Sequence, residues 1–166
     1  LFKDLGTYRS DFKKIARQVI VKHWDWEPSN FDDPQQLADH ILGLYNDLTE
    51  GMKYIHGNCD EEGKFDNFSS MALRDLCVMG YYIGKSSLAA SFPDIFGKDL
   101  PAGVYCQLTG ALDEYSTGSF VAVKFRHEGY SKVNEQFLDM ISNIENVPHR
   151  LRSLRRVLRN IAVQGW

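Results

Sequence analysis

Arg152, Arg155, Arg156 and Arg159 recur at three- and four-residue spacing close to the end of a 166-residue chain. On a helix turning about 100° per residue they project within a sector of roughly 100°, while Leu151, Leu154, Val157, Leu158 and Ile161 take the opposite side. A guanidinium keeps its charge and presents a planar fork of donors, so four on one face suit phosphates or a carboxylate-rich surface. The same pattern also describes a solvated helix face, paired with the acidic run Asp60, Glu61, Glu62. These four arginines are the candidate binding residues. DNA or RNA is the first candidate partner, and an acidic protein the second.

Asp113 and Glu114 beside Tyr115 form the sharpest polar cluster elsewhere. Paired carboxylates can act as acid and base or hold a divalent cation. Neighbours on a helix point about 100° apart, however, which favours a structural role in fixing the following Ser116-Thr117-Gly118 turn or pairing with a basic residue of another helix. His56 and Cys59 are spaced like metal ligands, but the sequence places no second pair beside them. Cys77 and Cys106 could serve as nucleophiles with His40, His56, His127 or His149, yet each has a simpler use in packing. No phosphate-binding loop, nucleophile elbow, zinc-protease helix or dinucleotide turn occurs. No catalytic residue, metal ligand or cofactor is therefore assigned. The alternative is an enzyme whose site gathers Asp113, Glu114, His56 and the acidic loop from distant positions.

The elements that must position these groups are helical. Phe12, Ile15, Ala16, Val19 and Ile20 share one face of a helix from Ser10 to about Trp24, which should stop before Pro28. Asp33 can cap a second helix with Pro34 in its first turn, burying Leu37, Ile41, Leu44, Tyr45 and Leu48. Apolar residues crowd a third, from about Ser69 to Tyr82, which suggests a central position. Pro101 starts a fourth, carrying Val104, Leu108, Ala111, Leu112 and Tyr115 and closed by Gly118 in left-handed geometry. A stretch over 120–125 is β-branched and aromatic, hence extended, but lacks a second strand to pair with. A helix from about Glu128 to Asn146 buries Tyr130, Val133, Phe137, Met140, Ile141 and Ile144. Val147-Pro148 then breaks the chain before the last helix, which runs to about Val163.

The expectation is an all-α fold: a single globular bundle of about six helices spanning 1–166, cut from a longer protein. Hydrophobic residues make up 43% and charged residues 25%, an ordinary globular mix that can bury a core without staples. Three cysteines without a CxxC pair signal neither a disulfide framework nor a zinc cage and fit a reducing, intracellular compartment. No apolar run is long enough for a membrane span. A net charge of −3 argues against a wholly basic nucleic-acid-binding surface and leaves room for a local basic face. Trp24, Trp26 and Trp166 offer an aromatic surface through which the domain could form a homo-oligomer.

Leu100-Pro101, then Ala111-Leu112-Asp113-Glu114-Tyr115-Ser116-Thr117-Gly118, then Val123-Lys124-Phe125 and Tyr130, carry a resemblance. They are similar to a fungal domain of unknown function found mainly in basidiomycetes, whose pattern is a leucine-proline helix start, an "ALDEWSTG"-like helix end, an extended segment ending in phenylalanine and a tyrosine at the next helix start. Tyr115 stands in the aromatic position. The run Arg9 to Arg17 also resembles that family's opening helix. The resemblance implies a mostly helical domain within larger, often multi-copy fungal proteins, and brings no reaction, ligand or catalytic residue.

Overall fold

The computed structural model describes residues 2–29, 31–57, 61, 67–83, 88–91, 103–124 and 127–166. Six helices of seven residues or more stand among them: α1 (Phe2–His23), α2 (Pro34–Thr49), α3 (Met71–Cys77), α4 (Gly103–Leu112), α5 (His127–Glu145) and α6 (Pro148–Gly165). No strand occurs among the described residues, and the fold is an all-α bundle.

Local chemistry sets the boundaries. Asp33 accepts a hydrogen bond from the Gln35 amide at 3.0 Å and Pro34 opens α2, so both start signals operate as expected. Gly51 and Met52 both take a φ of +59°, turning the chain out of α2 into a short 3-10 segment, Glu50–Ile55. The third helix covers nearly the expected span, but its second half, Val78–Tyr82, widens into a π-helical turn. The first helix begins well before Ser10, because Gly6 weakens the helical signal of the opening residues without preventing the helix.

The centre of the bundle is shared by α3 and α4. Val104, Tyr105, Leu108, Ala111 and Leu112 are fully buried on α4, and Ala72, Leu73, Leu76 and Cys77 of α3 are buried beside them, with Met71 at its head half exposed. The small residues Cys106, Gly110 and Ala111 let neighbours pack on several sides of α4, which contacts α1, α3 and α5. Tyr105 stacks on Phe137 of α5 at 4.4 Å and meets Phe68 edge-on at 5.4 Å. Helix α6 packs on α5 and on the π turn, and Gly165 allows that approach, since a Cβ there would run into the Tyr82 ring.

Residues 120–124 are not helical and pair with no strand. They are fastened instead to one buried residue, through its main chain and its side chain. The Val121 amide donates to the Glu114 carbonyl at 2.7 Å and the Val123 amide to Glu114 Oε1 at 3.0 Å. Amides two residues apart pointing at one residue are the signature of extended backbone. Phe125 lies outside the described residues.

Trp26 is a correction to the aromatic-surface expectation. It is 2% exposed, its indole N–H donates to the Ile20 carbonyl at 3.1 Å, and its ring stacks on Tyr115 at 4.2 Å. Its place at the end of the first helix suggested a partly exposed ring; the ring closes the end of α1 over the core instead. Trp24 is half-buried, and of the three tryptophans only Trp166 is largely exposed.

Candidate functional site

Helix α6 owes its orientation to its apolar stripe: Leu154, Leu158 and Ile161 are buried, with Leu151 and Val157 half-buried beside them. That arrangement turns Arg152, Arg155, Arg156 and Arg159 outward, and all four are exposed. None forms an ion pair with a described carboxylate, and Glu61, the one described residue of the acidic run, is exposed and unpaired with them. Asp60 and Glu62 lie outside the described residues, as does Cys59. The helix carries no Asp or Glu of its own. At about 100° per residue the arginine sector continues into Val163 and Trp166, which are 71% and 65% exposed. The face is thus four guanidinium groups followed by an aliphatic and an aromatic side chain.

Asp113 and Glu114, the alternative chemistry, diverge. Asp113 accepts from the Tyr45 hydroxyl at 3.2 Å and the Tyr130 hydroxyl at 2.9 Å, tying α2 and α5 to the end of α4. Glu114 is completely buried and clamps α1. Arg17 donates to it twice, from Nε at 2.6 Å and from a terminal nitrogen at 2.7 Å, and Lys13 Nζ lies 2.9 Å from Oε1. Lys13 also donates to the Val123 carbonyl. Burial raises the Glu114 pKa, but the bonds from Arg17, Lys13 and Val123 outweigh it and hold the carboxyl below its ordinary range. Both acids are committed to structure.

Cys77 and Cys106 are buried, and burial pushes their thiols up to about 12 and about 11, away from nucleophilic chemistry near neutral pH. Among the described residues no three of His, Cys, Asp and Glu gather at metal-binding distance. His56 lies far in sequence from Asp113 and lines a different feature, an open cleft of about 450 Å³ between the ends of α1 and α2, the 3-10 segment and the head of α3. His23 lines the same cleft, and its Nε2 lies 2.9 Å from Asp75 Oδ2. Neither His23 nor Asp75 stood out in the sequence, since 52 positions separate them and no motif links them.

Residues 1–144 match the family described as Domain of unknown function (DUF6532). The chain belongs to that family. The DUF6532 match ends one residue before the end of α5, so α6 and its arginines lie beyond it. No curated protein and no solved structure matches the chain. No described helix is long and apolar enough to cross a membrane.

Proposed function

We propose that this chain, a DUF6532 member, is a non-catalytic intracellular interaction module of a larger fungal protein, contacting an anionic partner through Arg152, Arg155, Arg156 and Arg159 of the helix that follows the matched segment. Nucleic acid is the first partner and an acidic protein the second. The observation that carries the reading is the exposure of all four guanidinium groups on one helix face with no described carboxylate answering them. The fungal setting rests on the resemblance of the segment from Ala111 to Gly118.

Phosphate recognition by arginine is a backbone contact, so it gives affinity and orientation rather than base sequence. Exposed Trp166 at the end of the sector adds a ring on which an unpaired base can stack, which favours single strands over duplex. The chain as a whole is net acidic, so binding depends on this face rather than on overall charge.

The experiment is binding of the domain to duplex DNA, single-stranded RNA and an acidic peptide at low and physiological salt. Four neutralised phosphates imply a log–log salt slope of about −3.6 on duplex, so affinity should fall on the order of a hundredfold between about 50 and 200 mM salt. Arg155→Glu with Arg156→Glu should abolish binding to the duplex DNA, the single-stranded RNA and the acidic peptide alike. No binding at low salt, or equal binding by wild type and the reversed variant, overturns the proposal.

A further inference from the structure

The cleft at the head of α3 has no part in that reading, and its lining has a consistent chemistry. Its polar side chains are His23, Lys53, His56, Ser69 and Ser70, all basic or hydroxylic. No described carboxylate lines it. Trp24, Leu48 and Met71 supply the apolar remainder. At about 450 Å³ it falls in the size range of small-molecule sites, with a wall divided about evenly between polar and apolar groups.

The carboxylates nearby stand behind the lining rather than in it. Asp75 accepts from Lys22 Nζ at 2.6 Å and His23 Nε2 at 2.9 Å, with an Arg74 nitrogen at 3.4 Å. Two cations and a histidine ring nitrogen therefore share one carboxylate. Burial raises the Asp75 pKa, but the bonds from Lys22 and His23 outweigh it and keep the carboxyl ionised. The same bond fixes the His23 ring at the wall. On the far rim Lys53 is held by Asp47 at 2.7 Å and Glu50 at 2.8 Å, two acids that are themselves mostly exposed. Such solvent-side pairs contribute little, so a better-placed anion inside the cleft can take the ammonium from them. Ser70 is 7% exposed, yet its hydroxyl makes no capping bond to α3. On the wall of the cleft and without a capping bond, that hydroxyl is free to turn toward a ligand.

We propose that this cleft binds a small molecule with an oxyanion head, phosphate or carboxylate, on a flat apolar body. The head lies toward Lys53 and Ser70, and the body against Trp24 and Met71. An uncharged analogue of the same shape loses the head contacts and binds worse.

The test is titration of the isotope-labelled protein with phenyl phosphate, phenylacetate and benzyl alcohol, following the Trp24 indole and the Ser70 and Ala72 amides by NMR. Saturable shifts at these positions are expected with at least one of the two anions, at roughly millimolar affinity for so small a ligand, and at least about tenfold weaker binding with the alcohol. The stronger anion identifies the head group. Lys53→Glu, a partly exposed site that leaves the core intact, should weaken the anion about tenfold or more, and Ser70→Ala should weaken it less. Arg155→Glu with Arg156→Glu should leave the cleft shifts unchanged, which separates this site from the arginine face. No shifts at the cleft with either anion, equal binding of the alcohol, or an unaltered Lys53→Glu titration overturns the proposal.

Discussion

Replacing Glu114 with alanine should be among the most damaging single changes in the domain. The side chain is completely buried, and the change removes both oxygens that receive Arg17, Lys13 and the Val123 amide. The Lys13 side chain is only 10% exposed, so its ammonium would be left nearly buried with the Val123 carbonyl alone. Breaking a buried pair from one side costs about 3–5 kcal/mol; Arg17 is 37% exposed and regains water, which points to the lower end, about 3 kcal/mol. At 166 residues that corresponds to a fall in Tm of roughly 10 °C. Urea denaturation followed by circular dichroism measures it, and limited proteolysis should show faster cleavage within 120–124. The pH dependence follows from the depressed carboxyl. Its stabilisation is complete above the unfolded pKa near 4.5 and is lost as pH falls through the lower folded value. Glu114→Gln should therefore lose most relative to wild type near neutrality, the gap narrowing in acid. A loss below about 1 kcal/mol for Glu114→Ala, or a gap constant with pH, would refute the anchoring role.

Gly118 sits at φ +79°, and a Cβ there would lie 2.8 Å from the Ala38 carbonyl oxygen, so Gly118→Ala should cost about 1–3 kcal/mol in the same denaturation assay. Burial and raised thiol pKa values should leave Cys77 and Cys106 unmodified by iodoacetamide in the folded protein and labelled once it is denatured, as peptide mapping by mass spectrometry would show.

Periodicity made α2, α5 and α6 legible because each buries a single stripe, and a stripe leaves a spacing in the sequence. The cap at Asp33 and the left-handed Gly118 were legible because each answers a local backbone demand. Helix α4 was harder to place, since a helix packed on several sides loses the contrast between faces that marks its neighbours. For Glu114 the sequence pointed to a structural pairing with a basic residue of another helix, but not to which residues or to its burial. In sequence it is one of two adjacent acids after an apolar run, and its burial depends on Lys13 and Arg17 arriving from about a hundred positions away. Those two bases fall outside the apolar stripe of α1, so its spacing does not mark them as buried. The cleft escaped for a similar reason, because its groups come from four elements with no shared motif. The arginine face needed only one helix to be legible.

That helix bears a charge arrangement its own stability does not favour. Arg152 and Arg156 are four residues apart, as are Arg155 and Arg159, and like charges at that spacing destabilise a helix by about 0.2–0.5 kcal/mol per pair. No described carboxylate offsets them. Reversing Arg155 and Arg156 to glutamate converts both pairs to opposite charges. The acid introduced by Arg155→Glu precedes Arg159, which is the favoured order, so the doubly reversed variant should gain about 0.8–2 kcal/mol and melt a few degrees higher. Thermal melts at low salt measure this, and the gain should shrink as salt screens the pairs. A variant that melts higher while losing its anionic ligand cannot have lost it by unfolding. If it melts lower by more than about 1 kcal/mol, the arginines serve the fold, and the face has no claim to be an interface.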